Sequence, residues 1–241
     1  MGKTDIIYED NDIIVCYKPA GIATQTRRIG QQDMESFIRN YRAAKNEPPY
    51  VGIVHRLDQP VEGVMVFAKN QKAAASLSRQ IKEHTTEKYY RAASRGHGVS
   101  GAAVEDEEAW HTLTDYISFD KRTNTSKITS EKDRLAKKAV LQYRVISVTP
   151  DRDSSQNECI KTEFDIKLLT GRHHQIRLQL ANIGYPLIGD TKYGKPASNN
   201  SGMGSKSGRT GSCVREQLAL CSYKIAFDHP ATGERMTFEL P

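Results

Sequence analysis

Short apolar runs bounded by turn-forming residues recur along most of the chain and predict a fold rich in β-strands. The first two runs, residues 5–8 and 12–17, are separated by a polar turn and predict a hairpin. Residues 64–68 lie between Gly63 and Asn70 and predict a buried strand. The same kind of pattern predicts strands at residues 87–93, 110–119, 126–130, 136–148, 159–169, 218–227 and 235–240.

One segment after the first hairpin carries apolar residues at helical spacing. Asp33 or a neighbouring residue is the predicted N-cap of this helix, and residues 46–49, which include two prolines, end it. Its core face is predicted to hold Phe37, Ile38 and Tyr41. The opposite face is predicted to be a solvated basic surface that carries Arg39, Arg42 and Lys45.

Two further helices are predicted, one before and one after the strands at residues 87–169. Asn70 is the predicted N-cap of a helix over residues 71–84. The apolar face of that helix is predicted to hold Ala74, Leu77 and Ile81. A third helix is predicted over residues 174–183, with Gly184 as its C-cap. This assignment places Arg177 in the first turns of the third helix.

The length of the chain is enough to bury a core without cross-links, and we expect residues 1–241 to form one domain. Residues 195–216 are rich in Gly and Ser and predict a flexible insertion, and residues 96–108 predict a loop. The composition is ordinary for a globular protein, with 37% hydrophobic and 27% charged residues. The sequence shows no internal repeat.

A formal net charge of +6 and a pI near 9.0 favour an anionic partner such as nucleic acid. The four cysteines lack zinc-ligand spacing and indicate neither a metal site nor a disulfide framework. The sequence offers no signal segment and no apolar run long enough to cross a bilayer, so we expect a cytoplasmic protein.

Candidate chemistry begins in residues 54–60, where His55, Arg56 and Asp58 stand just before the predicted strand at 64–68. A carboxylate beside an arginine at the mouth of a strand can stay ionised, which makes Asp58 a candidate nucleophile or base. By itself, the same spacing is also typical of a surface ion pair or a turn-stabilising contact. A second basic cluster at residues 170–177 could complete one site with the first.

Short motifs follow one another along the chain at residues 18–21, 55–58, 63, 68–69, 88–92, 171–178 and 184–194. Their order and content resemble those of the RluA-type pseudouridine synthases. The resemblance covers nearly the whole chain, from about Ile6 to Leu240. It implies an α+β fold in a single domain, with a mixed, largely antiparallel sheet flanked by helices and loops and a central basic cleft. We expect no room for the small S4-like RNA-binding domain that many relatives carry.

The resemblance implies an isomerase that converts uridines of ribosomal or transfer RNA to pseudouridine without a cofactor. Asp58 takes the role of the nucleophile, and Arg177 pairs with it. Tyr90 matches the active-site tyrosine, which stacks on the base and handles the C5 proton. A uridine in structured RNA must leave its stack before an Asp can reach C1′. Arg56 matches the position that holds the resulting gap.

Three further positions complete the predicted site. His55 is placed among the substrate-binding residues, and we expect it to support the loop that carries it. Arg172 precedes the third helix, where helix-start amides and a cation together suit a phosphate. The tandem pair His173 and His174 lacks the spacing of a helical metal site, so no metal is expected. We expect a monomer that binds RNA and has no membrane partner.

The chain departs from the family pattern at Val61 and Glu62, where the family has Thr-Ser, and Pro60 stiffens the segment after Asp58. These departures leave the choice of RNA and uridine open. Two rival functions also stay open at this point. One is an RNA-binding or folding module without turnover, and the other is a nucleoside or glycoside hydrolase that uses Asp58.

Overall fold

The computed structural model describes residues 4–26, 28, 30–96, 109–152, 158–194 and 216–241. The predicted insertion at 195–216 lies outside these ranges except for Glu216, and the predicted loop at 96–108 lies outside them except for Gly96. The described residues form eleven strands and three helices. In chain order these are β1 (Asp5–Glu9), β2 (Ile13–Lys18), α1 (Met34–Ala44), β3 (Gly52–Ile53), β4 (Glu62–Ala68), α2 (Gln71–Lys82), β5 (Glu87–Gly96), β6 (His111–Asp120), β7 (Thr125–Thr129), β8 (Lys137–Arg152), β9 (Glu158–Leu168), α3 (Gln175–Asn182), β10 (Leu220–Asp228) and β11 (Arg235–Glu239).

All eleven strands belong to one sheet, with the order β1-β2-β4-β10-β5-β9-β8-β6-β7. Strand β3 pairs with β4, and β11 pairs with β10. Every pairing is antiparallel except the short parallel contact between β10 and β4, where Cys221 and Ser222 lie opposite Glu62 and Gly63. The predicted α+β class with a mixed, largely antiparallel sheet is confirmed.

The buried residues divide between the two faces of the sheet because side chains alternate along each strand. Ile14 and Cys16 of β2 pack in one cluster with residues of α1 and α3, whereas Ile13 and Val15 pack in the other with residues of α2. Tyr90 of β5 belongs to the first cluster. The α1 and α3 face is therefore the one that carries the candidate chemistry.

Both predicted N-caps are present. The Asp33 side chain accepts the Ser36 amide and forms a capping box, and the Asn70 side chain accepts the Ala73 amide. The predicted basic face of α1 is wrong at Arg42, which is 4% exposed. Its guanidinium donates to the backbone carbonyls of Tyr50 and Lys69, so this arginine ties the helix to the chain beyond it instead of facing solvent.

The other elements differ from the prediction in their ends or in the residues that they bury. Helix α2 ends at Lys82 and not at residue 84. It buries Ala73, Leu77 and Gln80, so its buried face is shifted by one residue from the predicted one. Helix α3 is not amphipathic, since residues 175–180 are all buried. Its C-cap is Ile183, and Gly184 follows with a positive φ of 91°. Strand β8 runs on to Arg152 as half of a long ribbon with β9. None of the described helices is long and apolar enough to span a membrane.

Candidate active site

The loop that carries Asp58 connects β3 to β4 and is fastened by its backbone. The Thr24 hydroxyl group bonds both the carbonyl and the amide of Leu57, at 3.0 and 3.1 Å. The Gln59 carbonyl accepts the Gly21 amide at 2.8 Å and the Lys18 ammonium at 3.2 Å. Asp58 is therefore held on both sides by its neighbours, while its own side chain stays 29% exposed.

Lys18 is fully buried and donates to the carbonyls of Pro19, Ile22 and Gln59. Burial lowers the pKa of Lys18 to about 8, against the charges of Asp58 and Glu62, which act in the opposite direction. This buried ammonium joins the end of β2 to the loop that carries Asp58. Lys18 therefore binds three backbone carbonyls, a role that its motif at residues 18–21 did not predict.

His55 supports the same loop from inside. Its Nε2 atom accepts the Val66 amide at 3.1 Å, which requires an unprotonated Nε2. Burial, with a smaller effect from the Lys88 charge, lowers the pKa of His55 to about 3. The ring is neutral near pH 7 and fixes the loop against β4. Contact between His55 and substrate stays a prediction, and the hydrogen bond supports the loop role.

Arg177 reaches Asp58 from α3, across 119 positions of sequence, with 3.4 Å between Nη1 and Oδ2. It is 4% exposed and is fixed by Asp190, whose two carboxylate oxygens accept from Nε and Nη2 at 2.8 Å each. Burial alone would raise the pKa of Asp190, but the bonds and charge of Arg177 lower it. The ion pair with Asp190 thus leaves Nη1 of Arg177 to donate to Asp58.

His174 is the second group at Asp58, with 3.5 Å between its Nε2 and Oδ2 of Asp58. Its Nδ1 lies 2.9 Å from the hydroxyl oxygen of Tyr193. Burial first, and then the charge of Arg177, lower the pKa of His174 to about 3, so the ring is neutral near pH 7. The contact with Asp58 is therefore a 3.5 Å approach of a neutral ring to the carboxylate and not an ion pair.

Tyr90 lies on β5 opposite Ser222 of β10 and Ile166 of β9. It is 6% exposed and belongs to the same buried cluster as Leu57, the neighbour of Asp58 in the chain. Burial strongly raises the pKa of Tyr90, and the negative charge of Asp58 raises it further. Tyr90 is therefore a neutral phenol near pH 7, suited to stacking and hydrogen bonding.

The two remaining predicted residues lie at the edges of the site. Arg56 is exposed and precedes the fastened Leu57 and Asp58 in the same loop. The guanidinium of Arg172 donates to the Lys138 carbonyl at 2.8 Å, and its amide donates to the Gln175 side chain. In the part of the chain that the structure describes, no contact joins Arg172 to Asp58. Arg172 is therefore peripheral to the group formed by Asp58, Arg177 and Tyr90.

Asp190, His174 and Tyr193 were missed as site residues, although all three lie inside motifs that the resemblance covers. The available signal was an acidic residue in a basic motif and a histidine next to the predicted helix start. Their roles depend on long-range contacts, since Tyr193 also accepts the amide of Ser126 at 2.8 Å. Spacing along the chain does not reveal such contacts.

One group among the described residues has the donor types of a metal site, namely Asp10, Asp12 and His229, whose ligand atoms lie within 4.8 Å of one another. Hydrogen bonds already account for these side chains. Asp10 accepts the amides of Asp12 and Ile13 and contacts the His229 ring at 2.9 Å. The arrangement closes the turn between β1 and β2 and suggests no role in the chemistry at Asp58.

The sequence model of the RNA pseudouridylate synthase family matches residues 12–182. The chain belongs to this family, in its RluA-type branch. It is 31% identical over 241 residues to the uncharacterized RNA pseudouridine synthase YhcT of Bacillus subtilis, covering 100% of this chain and 69% of that protein. It is also 31% identical over 242 residues to ribosomal large subunit pseudouridine synthase D of Vibrio parahaemolyticus, covering 98% of this chain and 66% of that protein. This pseudouridine synthase thus spans about two thirds of the length of these relatives.

The fold is also similar to those of solved pseudouridylate synthase domains. The solved structure of human RNA pseudouridylate synthase domain containing 1 matches with a TM-score of 0.68 at 24% identity, covering 99% of this chain and 83% of that one. Human RNA pseudouridylate synthase domain containing 4 also matches with a TM-score of 0.68, at 20% identity. Both likenesses concern the fold. Members of the family are isomerases that act on RNA, which confirms the predicted enzyme class.

Proposed function

We propose that this pseudouridine synthase isomerises uridines in RNA with Asp58 as its nucleophile. The observation that carries the proposal is the arrangement at Asp58. Arg177 and His174 approach one oxygen, Oδ2, at 3.4 and 3.5 Å, while the side chain remains 29% exposed on the face that also holds Tyr90. A carboxylate that is held at one oxygen and open at the other suits attack on an electron-poor carbon.

The reaction breaks the bond between N1 and C1′ of uridine and forms a bond between C5 and C1′. C5 loses its proton to the solvent and N1 gains one, so the composition of the nucleotide is unchanged and the hydrogen of C5 is the only atom released. Asp58 supplies the electron pair at C1′ and recovers it when C5 joins that carbon. Arg177 holds the Asp58 carboxylate in place through the transfer, because Asp190 fixes the guanidinium.

Tyr90 stacks on the detached base and keeps it close to C1′. The strongly raised pKa of Tyr90 supports a neutral phenol in this role and disfavours a phenolate that would take up the C5 proton. Arg56 is exposed at the edge of the cleft, which suits a side chain that holds the space left by a flipped uridine. Arg172 and the net charge of +6 suit the phosphate backbone.

We propose ribosomal RNA as the first substrate to test, because several relatives are named ribosomal large subunit pseudouridine synthase D. Transfer RNA is the second. Both should bind more weakly as salt rises, because phosphate contacts release counterions.

The test measures tritium released from RNA labelled at uridine C5, with ribosomal and transfer RNA pools assayed separately. Wild type should release tritium, and Asp58→Asn should release none while binding the same RNA within about threefold, because it keeps the shape of the side chain and loses the nucleophile. Asp5→Asn removes an exposed carboxylate and serves as the matched control. Equal release by wild type and Asp58→Asn would reject the nucleophile assignment.

The same reactions separate the two rival functions. Free uracil or new abasic sites in the treated RNA would show that Asp58 serves a hydrolase. RNA binding without tritium release from either pool would favour a binding module and reject turnover on those substrates.

A further inference from the structure

We propose that His174 and Tyr193 are positioning residues that hold Oδ2 of Asp58 and leave Oδ1 directed to the substrate. The proposal rests on the nucleophile assignment above. His174 places Nε2 3.5 Å from Oδ2, and Arg177 places Nη1 3.4 Å from the same oxygen. A guanidinium nitrogen from α3 and a ring nitrogen from its N-cap therefore approach the same carboxylate oxygen.

The proton on His174 follows from its neighbours. The Ser126 amide, which can only donate, approaches the Tyr193 hydroxyl oxygen at 2.8 Å. The Tyr193 oxygen lies 2.9 Å from Nδ1 of His174, and we assign its O–H as the donor to that nitrogen because the oxygen already accepts one hydrogen bond. Nδ1 is then the acceptor of the ring, and the proton of the neutral imidazole sits on Nε2, facing Asp58.

The turn at residues 190–193 positions both Arg177 and His174. Oδ1 of Asp190 accepts the amides of Lys192 and Tyr193 at 2.8 and 3.0 Å, while the carboxylate grips Arg177. The Tyr193 ring also lies 5.4 Å from the Arg177 guanidinium. Any shift of this turn would therefore move Arg177 and His174 together.

The backbone and ring of His174 are also fixed. It is the N-cap of α3 in the left-handed region, with φ 53° and ψ 26°, and its ring stacks on His173 with 3.7 Å between centroids. Ser126 completes the array, because its hydroxyl group donates to the His173 carbonyl. Strand β7 is thus linked through two histidines to the nucleophile, which gives Asp58 a defined orientation before RNA binds.

The first test is spectroscopic and needs no substrate. Nitrogen-15 NMR of the histidine rings should show His174 protonated at Nε2 and unprotonated at Nδ1 near pH 7, with the signal assigned by its loss in His174→Gln. Tyr193→Phe removes the donor to Nδ1 but keeps the ring, so the preference for the Nε2 proton should be lost. A proton on Nδ1 in wild type would overturn the proposal.

The second test is a kinetic double-mutant cycle with the tritium assay. Tyr193→Phe should lower kcat about tenfold with little change in KM, because one hydrogen bond to the positioning ring is lost. His174→Gln has a terminal amide that reaches Asp58 and has no tautomers, so adding Tyr193→Phe to it should change kcat by less than about twofold. His174→Asn tolerates the left-handed backbone but is too short to reach, and should lose more activity than His174→Gln.

An equal effect of Tyr193→Phe in the wild-type and His174→Gln backgrounds would show that Tyr193 acts independently of His174. That result would reject the proposed link even if Asp58 is the nucleophile. Absence of tritium release by wild type would reject the proposed function instead, while the NMR result would still decide how the proton of His174 is placed.

Discussion

The charge of Arg177 is buried, and its compensation comes mainly from Asp190 and not from Asp58. The two 2.8 Å bonds to Asp190 are shorter than the 3.4 Å approach to Asp58. This division leaves Asp58 oriented but only lightly held. Such freedom suits the proposed nucleophile, because the Asp58 carboxylate must loosen its contact with Arg177 to attack C1′.

Asp190→Asn should therefore destabilise the protein by about 3 kcal/mol, since the change leaves a buried guanidinium without its main counter-charge. Urea unfolding followed by circular dichroism measures this cost. Glu35→Gln is the matched control, because it breaks an ion pair with an arginine side chain that is 52% exposed and should change stability by less than about 1 kcal/mol. Equal effects of the two variants would contradict the view that Asp190 compensates a buried charge.

The motifs predicted the contact between Asp58 and Arg177 but not the residues that hold its partners. The geometry agrees with this contact. Asp190 contacts Arg177 across 13 positions and Tyr193 contacts His174 across 19, and no local pattern encodes such contacts. The burial of Arg42 was mispredicted for the same reason, since its acceptors are distant backbone carbonyls.

Strands β4 and β10 approach closely where they pair at Gly63. An added Cβ there would lie 2.2 Å from the Ser222 carbonyl oxygen, and φ is 136°. Only glycine fits this position. Ser222 of β10 also lies opposite Tyr90 of β5, so this close approach sets the spacing between Tyr90 and the segment that follows Asp58.

Gly63→Ala should cost about 2 kcal/mol or more in stability and lower kcat, because backbone must move where β4 meets β10. Gly233→Ala is the control, since this glycine also has a positive φ of 76° but an added Cβ would meet nothing within 4 Å. It should cost about 1 kcal/mol from backbone strain alone and leave kcat unchanged. Thermal unfolding and the tritium assay measure the two effects. A Gly63→Ala variant no worse than Gly233→Ala would argue against the close packing.

The helices were predicted well where a cap and a two-sided pattern occur together. Asp33 and Asn70 both cap as expected, because capping is a local property of the backbone. Helix α3 was located correctly, but its apolar stripe is not a guide to its packing. Its first six residues are all buried, including the polar Gln175, Arg177 and Gln179.

For the molecule as a whole, buried neutral histidines predict an acid-sensitive fold. Burial lowers the pKa of both His55 and His174 to about 3, from an ordinary value of 6.5. The folded state binds fewer protons than the unfolded state between these values. Stability is therefore constant from this source above pH 6.5 and falls as the pH drops from 6.5 towards 3.

The free energy of unfolding, measured by urea titration from pH 7 to pH 4.5, should fall with a slope that reports about two protons. His55→Gln keeps an acceptor for the Val66 amide and should reduce this proton count by about one. His84→Asn, at an exposed histidine with a positive φ, should leave the slope unchanged. A slope in His55→Gln that matches wild type would show that His55 is not the source.

The order of strands could not be predicted from the pattern, although the number and type of most elements could. Alternation predicts which side of a strand is buried, whereas pairing depends on which buried faces fit together across the sheet. Strand β10 comes late in the chain yet lies between β4 and β5. The resemblance to a family supplied this architecture in outline, and periodicity alone did not.

That central place of β10 has a consequence for how the protein is made. During synthesis, β4 and β5 leave the ribosome long before the strand that joins them, and Ser222 is 159 positions beyond its partner Gly63. Until β10 is made, the edges of β4 and β5 that pair with it stay unpaired, and pairing over such long loops is then slow. The nascent chain should thus become resistant to protease only after β10 has emerged, and the nucleophile should meet its full set of partners among the last events of folding.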